Sequence, residues 1–184
     1  MIDEFVDIAT KDGAMETFTC RPERHGPFPA VLILMDAPGI REELRDMARR
    51  LASVGYYAML PNLYYRAGRD TMFGPNVHVD ASDARNRMRS IRTKKTITPV
   101  MDDVAAMMAY LDGQKDASKG PIGVHGYCMS GPYALAAAAR YPDRVAAAAA
   151  FYATKPIDPE DAESPHLNLD KIKGEVHIAC AEVD

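Results

Sequence analysis

The sequence contains no run of about 18 consecutive apolar residues, so it predicts no membrane-spanning helix. Its first residues, Met1-Ile2-Asp3-Glu4, are acidic, whereas a secretory signal begins with basic residues followed by apolar ones. Cysteines are few: Cys20, Cys128 and Cys180 are an odd number at wide spacing. This spacing favours free thiols in a reducing compartment over a disulfide framework or a zinc cluster. We therefore expect a cytoplasmic protein without a bound metal.

The sequence also has no overall excess of positively charged residues. The formal net charge is −4 at pH 7, which predicts neither nucleic acid nor a membrane surface as a partner. One local exception is a basic run over residues 85–95, which consists of Arg85, Arg87, Arg89, Arg92, Lys94 and Lys95. The run is typical of a solvated helix face and the loop after it. The alternative is that one of its arginines, such as Arg85, pairs bidentately with a substrate carboxylate.

No internal repeat, low-complexity linker or break in composition divides the 184 residues, which fit a single domain. Apolar runs and helical periodicity alternate along the chain, and this alternation predicts an α/β fold with a doubly wound, mostly parallel sheet. The predicted strands are 4–9, 15–20, 30–35, 56–60, 121–127, 145–152 and 175–181, and the predicted helices are 42–54, 81–91, 100–111 and 131–141. In such a sheet, ligands bind at the carboxyl ends of the strands.

The segment around Cys128 has the layout of a nucleophile elbow, with cysteine where serine is commoner. A strand runs directly into a helix there, and Gly126 and Ser130 lie two residues to either side of Cys128. Both neighbours must be small, because the strained corner brings strand and helix close together. The N–H of Met129 lies at the helix N-terminus, where it can stabilise an oxyanion, and the same position favours a thiolate.

Two other interpretations of this segment stay open. The first is a buried structural cysteine beside a tight turn, since free cysteine is among the most buried residue types. Ser130 is a weaker candidate nucleophile, because the residue two positions before it is Cys128 and not glycine.

Three segments resemble a known family. Gly126-Tyr127-Cys128-Met129-Ser130-Gly131 resembles the nucleophile motif of the dienelactone hydrolase family, and Pro61-Asn62-Leu63-Tyr64 resembles its Pro-Asp-Leu-Tyr segment. Residues 139–145 are similar to a run common across α/β-hydrolases. The resemblance extends over essentially the whole chain, in order. It implies an α/β-hydrolase fold and hydrolysis of a small-molecule ester or lactone by a Cys–His–Asp triad, without cofactor or metal.

The resemblance also implies roles for individual residues. Cys128 is the expected nucleophile, and the N–H groups of Met129 and Ala37 are the expected oxyanion-hole donors. Asp36 occupies the place of a family glutamate that contacts the resting cysteine, although aspartate is one methylene shorter. Asp36 alternatively caps the turn that follows it. Independently of the resemblance, the irregular stretch over residues 64–99 is expected to shape the substrate pocket, with Tyr64, Tyr65 or an arginine of the basic run such as Arg85 in its lining.

The triad acid and base are harder to place. Asp184 follows the last predicted strand, where the family carries its triad aspartate; it is otherwise an ordinary loop residue, and Glu182 is a less favoured substitute. In this family order the histidine follows the acid. None of the five histidines matches that position: His25, His78, His125, His166 and His177. We therefore expect a fold that lacks its C-terminal strand and helix, a triad histidine beyond residue 184, and no catalysed hydrolysis by these residues alone.

Two function classes follow from the sequence. The first is a cysteine-dependent hydrolase of esters or lactones. The second is a non-catalytic α/β-hydrolase-like module that binds a ligand or partner, because fold alone does not prove function. A redox role is a distant third, since no second cysteine lies near Cys128 in the sequence. Neither composition nor spacing selects a particular substrate or an oligomeric state.

Overall fold

A computed structural model describes residues 1–24, 26–69, 71–73, 83–93 and 96–182. His25, His78 and Asp184, which figure in the sequence predictions, lie outside the described residues.

The described chain forms a seven-stranded sheet with helices packed against it. The strands are β1 (Ile2–Thr10), β2 (Gly13–Arg21), β3 (Ala30–Leu34), β4 (Tyr57–Pro61), β5 (Ile122–Tyr127), β6 (Val145–Phe151) and β7 (Glu175–Ala179). Their order is β1-β2-β4-β3-β5-β6-β7. The first two strands form an antiparallel hairpin, β2 pairs antiparallel with β4, and the remaining pairs are parallel. The predicted α/β fold with a mostly parallel sheet is confirmed.

Four helices longer than one turn lie in the described chain: α1 (Glu42–Ser53), α2 (Asp83–Thr93), α3 (Ile97–Gly113) and α4 (Gly131–Arg140). Helix α3 begins three residues before the predicted start. Pro99 falls in its first turn, where a missing N–H costs no intrahelical hydrogen bond. The N–H of Ile97 donates to Asp161 Oδ2 at 3.1 Å, so a residue distant in sequence satisfies this end of the helix.

The centre of the sheet is buried on both faces. Every residue of β3 and of β4 is buried, as expected for parallel strands covered by helices. Helix α1 packs against β2 and β4, whereas α4 lies over β5 and β6 and contacts α3. Among the described residues, no helix combines the length and apolar character needed to cross a membrane.

Strand β7 forms one edge of the described sheet. Most of its side chains are exposed, including Ile178, which is 53% accessible. The strand ends at Ala179, two residues before the predicted end. At the centre of the sheet, β3 and β5 are adjacent and parallel, with Leu34 opposite Gly126. The loops that follow β3 and β5 therefore emerge next to each other at the carboxyl edge of the sheet.

Candidate active site

Cys128 stands at a sharp corner between β5 and α4. A single 3-10 turn, Cys128–Ser130, joins the strand to the helix. Cys128 has φ of +53°, in the left-handed region that residues other than glycine seldom adopt. Its side chain is half-buried, so it is not enclosed in the hydrocarbon core. Strained backbone of this kind is concentrated at functional sites.

The corner requires small residues on both sides of Cys128. A Cβ on Gly126 would lie 2.1 Å from the backbone oxygen of Ser130, and a Cβ on Gly131 would lie 2.6 Å from Ala153 Cβ. Ser130 is fully buried. Its hydroxyl donates to the Leu34 carbonyl at 2.8 Å and accepts the Tyr127 N–H at 3.0 Å. This serine therefore ties the corner to β3, and its buried, bonded hydroxyl is unsuited to act as a nucleophile.

The two candidate oxyanion donors lie on the loops that follow β3 and β5. Met129 is the second residue of the 3-10 turn, where backbone N–H groups have no intrahelical acceptor. Ala37 is fully buried in the loop after β3. Its N–H donates to no acceptor among the described residues. Buried N–H groups are rarely left without a partner, so the Ala37 donor is suited to an atom that arrives with a ligand.

The side chain of Tyr64 connects these two loops. Its hydroxyl lies 3.0 Å from the Ala37 carbonyl oxygen and 3.2 Å from Met129 Sδ. The side chain is almost completely buried, and burial raises the pKa of the phenol above its usual range, so the hydroxyl stays protonated. Tyr64 also lines a cavity of about 740 Å³ together with Leu63, Ala67, Ile91, Thr96 and Val100, among others.

Asp36 does not make the contact with Cys128 that the resemblance implies. Its two carboxylate oxygens accept from Arg41 Nη1 at 2.5 Å and from Nη2 at 2.8 Å. No hydrogen bond joins Asp36 to Cys128 in the described part of the chain. The turn after Asp36 is closed by its backbone, because the Gly39 N–H donates to the Asp36 carbonyl at 3.2 Å. The Asp36 carboxylate therefore forms an ion pair with Arg41. This pair was not predicted from the sequence, where the spacing of five residues between Asp36 and Arg41 was its only signal.

We expect Asp36→Asn to lower the free energy of unfolding by about 2 kcal/mol, because the largely buried Arg41 guanidinium then keeps only the exposed Glu43 carboxylate as a counter-charge. The carboxylate also raises the pKa of Arg41. Urea denaturation measures the loss. Asp7→Asn is the matched control, since Asp7 pairs with Arg69 on the exposed surface. Equal stability of the two variants would contradict a structural role for the Asp36–Arg41 pair.

One arginine of the basic run lies beside the elbow. A second cavity, of about 370 Å³, is lined by Arg92, Thr96, Met129, Pro132, Tyr133 and Lys155, among others. Arg85 is half-exposed on α2 and is not in the lining of either cavity. The hydroxyl of Tyr133 makes no hydrogen bond within the described residues, and burial raises its pKa to about 12. Among the arginines of the basic run, Arg92 and not Arg85 therefore lines the cavity beside the elbow, together with Tyr133.

The histidines in the described part of the chain make contacts with residues other than Cys128. The ring of His125 packs edge-on against Tyr127 at 5.4 Å, and burial lowers its pKa to about 4. His166 Nδ1 lies 2.8 Å from Ser164 Oγ, and the ring of His177 lies beside Phe151. No hydrogen bond joins any of them to Cys128. Within the described ranges, no group of three or more His, Cys, Asp or Glu side chains is arranged to hold a metal ion.

Comparison with known proteins places this geometry in a family. The family model described as dienelactone hydrolase family matches residues 15–184. A protein of Methylorubrum extorquens provisionally named carboxymethylenebutenolidase is 29% identical over 175 residues, which are 89% of this chain and 57% of that protein. The carboxymethylenebutenolidase of Pseudomonas sp. strain P51 is 27% identical over 139 residues, which are 76% of this chain and 56% of that protein.

The fold has counterparts among solved structures. The crystal structure of a provisionally assigned dienelactone hydrolase from Klebsiella pneumoniae superimposes with a TM-score of 0.74 at 21% identity, covering 100% of this chain and 86% of that one. This likeness shows the α/β-hydrolase fold. The chain spans less than two thirds of the length of the curated relatives named above.

Proposed function

The chain belongs to the dienelactone hydrolase family, and from that premise we propose that the thiol of Cys128 is the nucleophile in the hydrolysis of a small-molecule ester or lactone. The observation that carries the proposal is the strained corner at Cys128, which sets a half-exposed sulfur at the carboxyl edge of the sheet. Two N–H donors, on Met129 and Ala37, support it from the adjacent loops.

The proposed reaction proceeds through a thioester. The Cys128 thiolate attacks the carbonyl carbon, and the carbonyl electron pair moves onto the oxygen, which the N–H groups of Met129 and Ala37 stabilise. Collapse of this intermediate breaks the ester bond. The leaving oxygen takes a proton from an imidazolium, and the resulting imidazole removes a proton from the water that attacks the thioester. Collapse of this second oxyanion breaks the carbon–sulfur bond and returns the Cys128 thiolate and the imidazolium. The products are a carboxylic acid and an alcohol, or one hydroxy acid from a lactone.

We place the acid of this triad at Asp184 and the histidine beyond residue 184. The family order of nucleophile, acid and base supports this placement. It is also supported by the absence of any hydrogen bond between Cys128 and a described histidine. A carboxylate at residue 184 would hold the imidazole in the correct tautomer and stabilise its charged form.

The smaller cavity beside the elbow and the larger one next to it are proposed as the substrate pocket. Thr96 belongs to the lining of both, and volumes of about 740 and 370 Å³ suit small organic ligands. The smaller cavity offers the positive charge of Arg92 and the Tyr133 hydroxyl, which has no hydrogen-bond partner among the described residues. The larger one is lined by apolar Leu63, Ile91 and Val100 as well as by charged Lys11, Asp12 and Arg66. Polar groups on the substrate would therefore face Tyr133, and apolar groups would face α2 and α3.

Alkylation by iodoacetamide distinguishes the hydrolase hypothesis from the alternative of a non-catalytic binding module. We expect Cys128 to react at neutral pH about tenfold faster than the exposed Cys180, because the corner presents its sulfur at a helix N-terminus. Cys20 should react slowest, since burial shields its thiol and raises its pKa. Peptide mass spectrometry after timed quenching measures the three rates. Equal, slow labelling at all three cysteines would favour the binding module.

A further inference from the structure

We propose that Tyr64 is a positioning residue whose hydroxyl fixes the oxyanion hole. The inference rests on the proposed function, because an oxyanion hole matters only if Cys128 attacks an acyl group. Tyr64 reaches both residues that carry the candidate donors, with its hydroxyl 3.0 Å from the Ala37 carbonyl oxygen and 3.2 Å from Met129 Sδ. One hydroxyl therefore spans the loops after β3 and β5.

The two contacts of the Tyr64 hydroxyl differ in kind. A phenol has one proton to donate, and a carbonyl oxygen accepts it better than a thioether sulfur does. The hydrogen bond therefore goes to Ala37, while the sulfur of Met129 rests against the phenol oxygen. The first contact fixes a backbone group, and the second limits the movement of the residue whose N–H is the other donor.

The peptide group between Ala37 and Pro38 depends on this hydrogen bond. Proline has no N–H, so this peptide group offers only its carbonyl oxygen for a hydrogen bond. Tyr64 takes that oxygen. The Ala37 N–H belongs to the preceding peptide group, which meets this one at the Ala37 Cα. By fixing the carbonyl, the Tyr64 hydroxyl limits the movement of that Cα and so of the N–H next to it.

Tyr64 is itself held firmly enough to act in this way. Its N–H donates to Asn62 Oδ1 at 3.0 Å, and the Asn62 amide donates to Thr71 Oγ1 at 3.0 Å. The Tyr64 ring packs edge-on against Phe73, with 6.1 Å between the ring centroids. Its side chain is only 1% accessible. These contacts hold the ring, so the hydroxyl occupies one place.

Residues shortly after Tyr64 in the sequence contact the next part of the loop after β3, at Pro38 and Gly39. The Phe73 N–H donates to the Pro38 carbonyl at 2.9 Å. Gly39 has φ of +87°, and a Cβ there would lie 2.7 Å from the Thr71 carbonyl oxygen. Residues 71–73 therefore contact this loop, and Tyr64 contacts both the loop and the corner at Cys128.

The test compares two reactions of Cys128 in Tyr64→Phe. Acylation by p-nitrophenyl acetate passes through an oxyanion, whereas carboxymethylation by iodoacetamide is a displacement without one. We expect acylation of Tyr64→Phe to slow about tenfold, since loosening the donors costs less than deleting one. Alkylation should stay within about twofold of the unchanged chain. Stopped-flow release of nitrophenolate and peptide mass spectrometry give the two rates.

Tyr65→Phe is the matched control. The Tyr65 hydroxyl is also bonded, at 2.7 Å to Thr10 Oγ1 and at 2.9 Å to Asp103 Oδ1, but it lies away from the elbow loops. This variant should leave the ratio of acylation to alkylation unchanged. Thermal denaturation establishes that each variant is folded. If Tyr64→Phe does not fold, Phe73→Leu removes the ring that packs against Tyr64 and should give a smaller selective loss in the same direction.

Each result has one meaning. Unchanged acylation in Tyr64→Phe, or equal slowing of both reactions, would overturn the positioning role while leaving Cys128 as the nucleophile. Failure of the unchanged chain to form an acetyl adduct at Cys128 would overturn the proposed function, and the role of Tyr64 with it. A selective loss of acylation in Tyr64→Phe supports both.

Discussion

Cys128→Ala is expected to slow acylation by p-nitrophenyl acetate by at least about a thousandfold, because the variant has no atom that can form the thioester. In the unchanged chain, the sulfur belongs to a strained corner, and the loops that carry Met129 and Ala37 emerge next to each other. The measurement is the burst of nitrophenolate, with the mass of the intact chain recorded at each time point. One acetyl group should be added per chain, and peptide mapping should find it at Cys128.

The other two cysteines supply the controls for this result. Cys20→Ala and Cys180→Ala should both keep the burst, because Cys20 is buried in β2 and Cys180 follows the edge strand β7. An acetyl adduct that survives in Cys128→Ala and disappears in one of these variants would move the nucleophile away from the elbow. Loss of the burst in all three would point to a general effect on folding.

The same experiment tests the position of the base. With the triad histidine placed beyond residue 184, a protein of residues 1–184 should give one burst and no steady turnover, since no imidazole activates water against the thioester. Sustained release of nitrophenolate that depends on Cys128 would contradict this placement. His125 would then be the first candidate to test, although its ring packs against Tyr127 and burial lowers its pKa to about 4.

The elements of the fold were predictable because their signals are local. The apolar runs of β3 and β4 lack polar alternation, and the structure buries all of their residues. The corner at Cys128 was predictable for a similar reason. Only small residues two positions before and two positions after Cys128 let a strand meet a helix so closely, and these positions hold Gly126 and Ser130. The sequence therefore predicts the corner at Cys128 from steric requirements within five residues.

The electrostatic and hydrogen-bond partners around the corner were not predictable in this way. The pairing of Asp36 with Arg41 depends on the path of the loop after β3, and the contact of Tyr64 with Ala37 and Met129 joins three segments that are far apart in sequence. The choice of Arg92 over Arg85 beside the cavity depends on the phase of α2 relative to α3. Such contacts follow from tertiary packing, which composition and periodicity do not encode.

Gly126→Ala is expected to lower the free energy of unfolding by at least about 3 kcal/mol. The added Cβ would lie 2.1 Å from the backbone oxygen of Ser130 and 2.6 Å from its carbonyl carbon. Relief would require Ser130 to move, yet its hydroxyl is bonded to the Leu34 carbonyl and to the Tyr127 N–H. The helix cannot retreat without breaking the link between β5 and β3.

Gly123→Ala on the same strand is the matched control. A Cβ at Gly123 would meet Val31 Cγ2 at 3.5 Å, an ordinary contact, so its stability should change by no more than about 0.5 kcal/mol. Urea denaturation of both variants measures the difference. The folded fraction of Gly126→Ala should also show slow acylation, because any shift of Ser130 carries the neighbouring Met129 N–H away from the oxyanion. Equal stability of the two variants would mean that the strand and helix do not meet closely at Gly126, and the steric argument for the strained corner at Cys128 would fail with it.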